Sequence, residues 1–212
     1  MRGRIAIALA LGLVSALPAR SATCPGIVAF RDAFLAPNPA YRSVKPVDFS
    51  LTINGGNAEA NFQKPGISIP MQYMAAQFGD VSVCATVSAP ATDKAEDQSA
   101  GVIFWAVSST NYYCFEVSVN GQFIVAHQNA PGDWDVPLPW EPSDAIQKGV
   151  GVTNVLRAQT VGGVATFFIN GQQVGTFTDT PPPGGGLTGF ILSSSNTSPQ
   201  TMDVSDFSVS IP

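Results

Sequence analysis

The segment that decides the fold runs from Ala100 to Val125 and reads AGVIFWAVSSTNYYCFEVSVNGQFIV. Two of its runs, Gly101–Val107 and Tyr112–Val119, are rich in β-branched and aromatic residues, which favour strands. Asn120-Gly121 then predicts a tight reversal, because a type I′ turn needs positive φ twice and Asn-Gly tolerates it. Gln122–His127 is the returning strand. The segment therefore predicts three consecutive antiparallel strands.

Similar short β-rich runs fill the rest of the chain. Val81–Val87 places valines on one face and Ser, Cys and Thr on the other. Asn170-Gly171 predicts a second hairpin, while Ser143–Lys148 is expected to form one short helical turn. The recurring short strands and tight turns predict an all-β fold, a two-sheet antiparallel jelly-roll sandwich, in a single domain over residues 23–212. The large residues expected between the sheets are Phe104, Tyr113, Phe115 and Phe167.

The N-terminus has the layout of a cleavable secretory signal. Arg2 and Arg4 precede an apolar run, Ile5–Val14, and small residues with one proline follow up to Ala22. The apolar run is too short to span a bilayer, so residues 1–22 predict a signal peptide. We therefore expect a periplasmic or secreted protein that does not span a membrane.

Charge excludes several classes of partner. The chain has a formal charge of −5, and loss of the signal with its three arginines makes this about −8. Charged residues make up only 12 %, whereas Gly and Pro are abundant. An acidic chain with few Lys and Arg lacks the positively charged surface that binds phosphate backbones. Neither nucleic acid nor an anionic membrane surface is therefore an expected partner.

Three cysteines, at 24, 84 and 114, predict one disulfide and one free thiol in an oxidising compartment. Cys84 and Cys114 both fall in predicted strands, about 9.6 Å apart if one strand lies between them. A disulfide needs Cα atoms within about 7 Å. We therefore prefer a Cys24–Cys84 disulfide, which leaves Cys114 free.

At this point the sequence resembles a known family. It is similar to the concanavalin A-like lectin/glucanase superfamily, and more narrowly to laminin-G-like bacterial domains grouped with the 3-keto-disaccharide hydrolase domain. The resemblance covers roughly Phe30 to Val209 and implies two stacked antiparallel sheets, with a concave face that binds carbohydrate in many relatives. The motifs that carry it are Asp80-x-x-Val83, Ala100-Gly101-Val102-Ile103-Phe104, Asn111-Tyr112-Tyr113, Asn120-Gly121, Asn154-x-Leu156-Arg157, Phe168-Ile169-Asn170-Gly171, Gly189-Phe190 and Asp203-x-x-Asp206-Phe207-x-Val209.

Catalytic and metal-binding patterns are sparse. The glucanase branch of this superfamily carries Glu-x-Asp-x-x-Glu on one strand, and this chain lacks that motif. A retaining glycosidase needs two carboxylates about 5 Å apart, but Glu116 is the only acid central to a well-predicted strand. His127 is the only histidine, and it is expected at the surface, so neither a triad nor a His-based metal site is predicted. No cofactor is expected, although the loop aspartates Asp133, Asp135 and Asp179 leave calcium open.

Aromatic residues give the better indication of a site. Trp105 alternates with Phe104 and is expected to point away from the core, while Tyr112 shares the face of Glu116. Trp134 and Trp140 lie in a Pro-rich stretch that is expected to be irregular. Flat rings stack on the apolar faces of sugars while neighbouring polar groups bond the hydroxyls. Alternatively, Trp134 and Trp140 plug one end of the sandwich.

Three hypotheses follow from these residues. The first is a non-catalytic carbohydrate-binding protein that uses Trp105, Tyr112, Glu116, Trp134 and Trp140 to bind a glycan or oligosaccharide. The second is a glycoside-acting hydrolase related to the 3-keto-disaccharide hydrolases. The third is a structural or adhesive cell-envelope protein whose exposed aromatic residues contact a protein partner. The oligomeric state is not predicted.

Overall fold

Strands are the only regular secondary structure in the described residues, 24–43 and 48–212, of the computed structural model. No helix that could cross a membrane occurs in these two ranges, and the predicted signal peptide lies outside them. The strands are β1 (Ile27–Asp32), β2 (Tyr41–Ser43), β3 (Phe49–Asn54), β4 (Asn57–Phe62), β5 (Ser68–Phe78), β6 (Val81–Ser88), β7 (Ser99–Ser108), β8 (Asn111–Ser118), β9 (Gln122–Ala130), β10 (Asp133–Pro142), β11 (Thr153–Val161), β12 (Val164–Ile169), β13 (Gln172–Thr178), β14 (Gly186–Ser193) and β15 (Met202–Ile211).

The strands form two sheets. The eight-stranded sheet has the order β13-β12-β11-β6-β15-β4-β3, with β1 also paired to β15. The seven-stranded sheet has the order β10-β9-β8-β7-β14-β5-β2. Strand pairing is antiparallel throughout, for example between β7 and β8 and between β11 and β6. The predicted all-β, two-sheet antiparallel sandwich is therefore confirmed.

One apolar core joins the two sheets. The four residues expected between the sheets, Phe104, Tyr113, Phe115 and Phe167, all belong to it. The ring of Phe115 in β8 lies 4.9 Å from that of Phe167 in β12, so the two sheets meet through these rings. Burial of each phenylalanine side chain contributes about 1.5–3 kcal/mol. The inward face of each strand was thus predicted correctly at these positions.

The two Asn-Gly reversals differ in geometry. Asn170 and Gly171 both have positive φ, 52° and 86°, as a type I′ turn requires. At the other hairpin Gly121 has φ of 94°, but Asn120 is not among the residues with positive φ. That reversal is a longer loop closed by a hydrogen bond from the Gly121 N–H to the Ser118 carbonyl at 3.0 Å. The hairpin prediction was right there, and the type I′ prediction was wrong.

Two further local predictions were wrong. Residues 143–148 form a turn with no helix. The Pro-rich stretch expected to be irregular is the strand β10, which lies at the edge of the seven-stranded sheet. Pro137 and Pro139 are tolerated there because an edge strand has one row of backbone groups with no ladder partner.

The predicted Cys24–Cys84 disulfide is confirmed, with the two Cα atoms 5.6 Å apart. Cys24 is anchored on β15, where the Ser208 hydroxyl accepts from its N–H at 3.3 Å and the Ser210 hydroxyl donates to its carbonyl at 3.3 Å. The bridge therefore fixes the N-terminal segment across β15 onto β6. Cys114 is free and buried. It lies in the other sheet from Cys84, and not two strands away in the same sheet.

We expect Cys84→Ser to lower the free energy of unfolding by about 2–4 kcal/mol, because the bridge closes a long loop of the unfolded chain. Urea denaturation measures the change. A reductant should shift the wild-type midpoint by the same amount and leave the variant unaffected. Cys114→Ser serves as the control, since that variant should remain sensitive to reductant. A wild-type midpoint that does not respond to complete reduction would contradict the prediction.

Candidate functional site

The predicted outward orientation of Trp105 is wrong. The side chain is only 3 % exposed and belongs to the core between the sheets. Its ring centroid lies 5.5 Å from that of Phe104 and 5.7 Å from that of Tyr113. Two consecutive residues, Phe104 and Trp105, therefore both point inward. Trp105 does not reach the outer face of the seven-stranded sheet, where the structure forms a groove.

A β-bulge in β7 explains the reversal of Trp105. Ile103 pairs with Gly189 and Ala106 pairs with Leu187, so β7 has one residue more than β14 over this stretch. Trp105 takes φ of 48° there, and an extra residue in one strand shifts the alternation of side chains. No signal in the local sequence of β7 marks this bulge.

A groove of about 250 Å³ opens on the outer face of the seven-stranded sheet. Its aromatic wall comes from the edge strand β10, where Trp134 and Trp140 keep 38 % and 41 % of their surface exposed. Val136 lies between them, and Ile124 and Ala126 of β9 form part of the floor. Each tryptophan is therefore partly buried against the protein and partly open to the groove.

The opposite wall of the groove is polar. It comprises the ends of β5, β7 and β14 and the adjoining loops. Backbone contacts hold these loops together, since the Gly66 N–H donates to the Ser195 carbonyl at 2.8 Å. The groove thus has rings on one side and hydrogen-bonding groups on the other. The polar residues that line it are Ser68, Asp97, Ser99, Ser193, Ser194 and Asn196.

Two neighbouring carboxylates anchor the polar loops. The Glu96 Oε2 atom accepts from the hydroxyls of Ser195, Thr197 and Ser198 at 2.8, 2.6 and 2.7 Å. Asp97 accepts from the Asn196 N–H at 3.1 Å and from its side-chain amide at 2.7 Å. Asp97 lines the groove and Glu96 is not among its lining residues, so one dipeptide both fixes the β14–β15 loop and supplies a carboxylate to the site.

Glu116 lies at the bottom of the groove, in the centre of β8, and is only 6 % exposed. Its Oε2 atom accepts from the Ser99 hydroxyl at 2.7 Å and from the Ser193 hydroxyl at 2.9 Å. Its Oε1 atom accepts from the Cys114 thiol at 3.3 Å. Burial raises the pKa of Glu116, and these three hydrogen bonds only partly offset it. A glutamate on a strand face is more commonly solvated, which is the state the sequence favours for Glu116, but here the carboxyl is buried.

The second carboxylate of the groove is that of Asp97, and its pKa is shifted in the opposite direction from that of Glu116. Burial by itself raises the pKa of Asp97, but hydrogen bonds from Ser195 and Asn196 outweigh it and the net pKa is lowered. Glu116 and Asp97 are the titratable groups that line the groove, and none of the described lining residues is Lys, Arg or His. The site therefore has acidic character.

Tyr112 shares the outer face with Glu116, as predicted, but it does not line the groove. Its side chain is 1 % exposed and lies in a small apolar cluster with Ile103 and Cys114. The ring meets that of Trp134 edge-on at 5.9 Å. Tyr112 thus supports Trp134 from below. Of the predicted ligand-binding residues, the groove brings together Glu116, Trp134 and Trp140, and their contact with a ligand stays a prediction.

Sequence reasoning missed the polar wall. Ser99 faces Glu116 from the neighbouring strand β7 and Ser193 from β14, two strands away, while Asp97 and Asn196 pair across two loops. These residues carry no spacing signal, because Ser193 lies 77 positions after Glu116.

A separate polar cluster involves the only histidine. His127 is half-buried and stacks on the Tyr113 ring at 3.9 Å, with its Nε2 atom 3.3 Å from the Asn111 side-chain oxygen. The Tyr113 hydroxyl donates to Asp179, and Asp135 accepts from the Asn129 amide at 2.9 Å. In the described part of the chain, no three or more His, Cys, Asp or Glu residues are grouped to hold a metal ion.

The fold is a two-sheet antiparallel sandwich, and its arrangement is shared with solved structures of very different sequence. Neither a protein-family model nor a curated protein matches the sequence. Among solved structures, the chain is similar to a carbohydrate-binding module, CBM66, from Bacillus subtilis, with a TM-score of 0.60 and 12 % identity over 81 % of this chain and 95 % of that chain.

Two other solved structures are similar to the same extent. A Bacillus subtilis protein of unknown function with a galectin-like fold gives a TM-score of 0.58 and 13 % identity over 88 % of this chain and 96 % of that chain. A Bacillus licheniformis β-glucanase gives a TM-score of 0.59 and 8 % identity over 88 % of this chain and 99 % of that chain. These likenesses show the fold of the chain, a two-sheet β-sandwich. The narrower resemblance to 3-keto-disaccharide hydrolase domains stays a prediction.

The buried carboxyl of Glu116 predicts a pH dependence of stability. Its pKa in the folded state lies above the ordinary 4.5. As pH rises, the unfolded state therefore loses the proton at a lower pH than the folded state does. The contribution of Glu116 to stability is therefore greatest at acidic pH and declines as pH rises through its folded pKa. We expect the free energy of unfolding of Glu116→Gln, relative to wild type, to increase from about pH 4 to about pH 8.

Urea denaturation at several pH values measures this difference. The glutamine amide of Glu116→Gln disturbs the hydrogen bonds to Ser99 and Ser193 at every pH. The informative quantity is therefore the change in the free energy of unfolding with pH, and not its value at any one pH. Ser193→Ala is the matched control, because it keeps the carboxyl and removes one of its hydrogen bonds. We expect that control to retain the wild-type decline. Parallel pH profiles for wild type and Glu116→Gln would contradict the prediction.

Proposed function

We propose that this protein is a periplasmic or secreted glycan-binding protein, and that its groove holds a short segment of an oligosaccharide. The observation that carries the proposal is the pair of half-exposed tryptophans, Trp134 and Trp140, facing a wall of hydroxyl, amide and carboxylate groups. Sugar rings have apolar faces and polar edges, and such a groove offers a partner to each.

Size and compartment agree with the proposal. A volume of about 250 Å³ lies just below the roughly 300–1,000 Å³ typical of small-molecule pockets, so the groove suits one or two sugar rings. The Cys24–Cys84 disulfide is typical of oxidising compartments. Together with the signal-like N-terminus, it supports export. The names of two similar structures, a carbohydrate-binding module and a β-glucanase, point in the same direction.

We expect Trp134→Ala and Trp140→Ala each to weaken glycan binding about tenfold or more, because each removes one stacking surface. A glycan array followed by isothermal titration of the positive ligands measures the loss. Phe168→Ala is the matched control, since Phe168 lies in β12 of the other sheet, below the Arg157 guanidinium. Wild-type affinity in both tryptophan variants, or an equal loss in Phe168→Ala, would contradict the proposal.

A second candidate function is glycoside hydrolysis. The observation in its favour is the opposite direction of the two pKa shifts in one groove, raised for Glu116 and lowered for Asp97. Such a difference suits a general acid and a base. Glu116 would give its proton to the glycosidic oxygen as the bond to the anomeric carbon breaks. Asp97 would take a proton from the water whose oxygen bonds to that carbon.

We expect a hydrolase to release sugar from at least one member of a glycoside panel that includes 3-ketoglycosides. Turnover should disappear in both Glu116→Gln and Asp97→Asn, while Phe168→Ala should keep it. The rate is measured as reducing sugar released per unit time. Inactivity of the wild type across the panel would argue against catalysis and would leave the glycan-binding proposal standing.

A further inference from the structure

The two oxygens of the Glu116 carboxylate are not equally satisfied. Oε2 accepts from two hydroxyls, at 2.7 and 2.9 Å. Oε1 accepts only from the Cys114 thiol at 3.3 Å, and a thiol is a weak donor. An ionised carboxylate offers about four acceptor positions. Since Glu116 lines the groove, its carboxylate, which has acceptor positions left over, can take a further donor from a ligand.

Among the described residues, Glu116 has no ion pair with a Lys, Arg or His. The described lining of the groove contains two carboxylates and no Lys, Arg or His. Lys64, whose carbonyl accepts from the groove residue Ser194, directs its ammonium to Asp48 at 2.9 Å. A buried carboxylate without a counter-ion is costly, and a cation brought by a ligand would remove that cost.

We propose that the groove binds an amino sugar, with a protonated amine of the sugar on the Glu116 carboxylate and a face of the ring against Trp134 or Trp140. The proposal rests on the glycan-binding function above. A hydroxyl would supply one hydrogen bond and no charge, whereas an ammonium supplies three N–H groups and the counter-charge. A uronate or a sulfated sugar would bring a third negative charge beside Glu116 and Asp97, which disfavours it.

The experiment compares four sets of oligosaccharides of the same length and linkage by isothermal titration with the purified protein. They are built from glucosamine, N-acetylglucosamine, glucose and galacturonic acid. We expect glucosamine oligosaccharides to bind about tenfold tighter than the N-acetylated and glucose sets, because a charge-assisted hydrogen bond is roughly twice as strong as a neutral one. Galacturonic acid oligosaccharides should bind weakest of the four.

Variants test whether Glu116 is the residue that causes the preference for glucosamine. Glu116→Gln should bind glucosamine and glucose oligosaccharides with about equal affinity, and its affinity for the glucose set should be close to that of the wild type. Glu141→Gln is the matched control, because Glu141 is an exposed acid on β10 beside Trp140 that does not line the groove. That control should keep the preference. Thermal melting establishes that each variant is folded, and the wild-type ranking of the four sets needs no variant at all.

The outcomes separate the two proposals. Equal binding of glucosamine and glucose oligosaccharides by the wild type, or a preference for the N-acetylated or acidic sets, would overturn the amine contact and leave glycan binding intact. A glucosamine preference that survives in Glu116→Gln would also overturn it. Failure of the wild type to bind any of the four sets and any glycan on the array would remove the glycan-binding function itself.

Discussion

The register of β8 is the constraint on which both the core and the groove depend. Neighbouring residues of a strand point to opposite faces, so Phe115 enters the core while Glu116 faces the groove. Phe115 meets Phe167 of the other sheet at 4.9 Å. A slip of one residue would place a phenylalanine in the groove and a carboxylate between the sheets. The packing of the two sheets therefore also fixes the position of the acid.

The bulge at Trp105 shows what happens where this alternation is interrupted. An extra residue lets Phe104 and Trp105 both enter the core, so the core gains a large ring at that point. Gly186 on the neighbouring strand makes room, since a Cβ there would lie 2.7 Å from the Trp105 Cα atom. The outer face loses its central tryptophan, and β10 supplies the exposed rings of the groove instead.

The groove combines a fixed floor with walls of different origin. Its floor lies on the central strands β8 and β9, its aromatic wall lies on the edge strand β10, and its polar wall comes from loops held by Glu96 and Asp97. Hydrogen bonds hold the polar loops, and the Tyr112 ring supports Trp134, before a ligand arrives. Such preorganisation reduces the ordering that binding would otherwise require.

The sequence by itself determined the sandwich, the inward phenylalanines and the outer face of Glu116, because strand alternation and turn chemistry are local properties. The Cys24–Cys84 pairing was predicted correctly from a wrong premise, since Cys84 and Cys114 lie in different sheets. Only the tertiary structure decided the burial of Trp105 and Tyr112 and the regular strand in the Pro-rich stretch. It also decided the meeting of Ser193 with Glu116 across 77 positions of chain. These features depend on which strands become neighbours, and alternation within one strand carries no information about that choice.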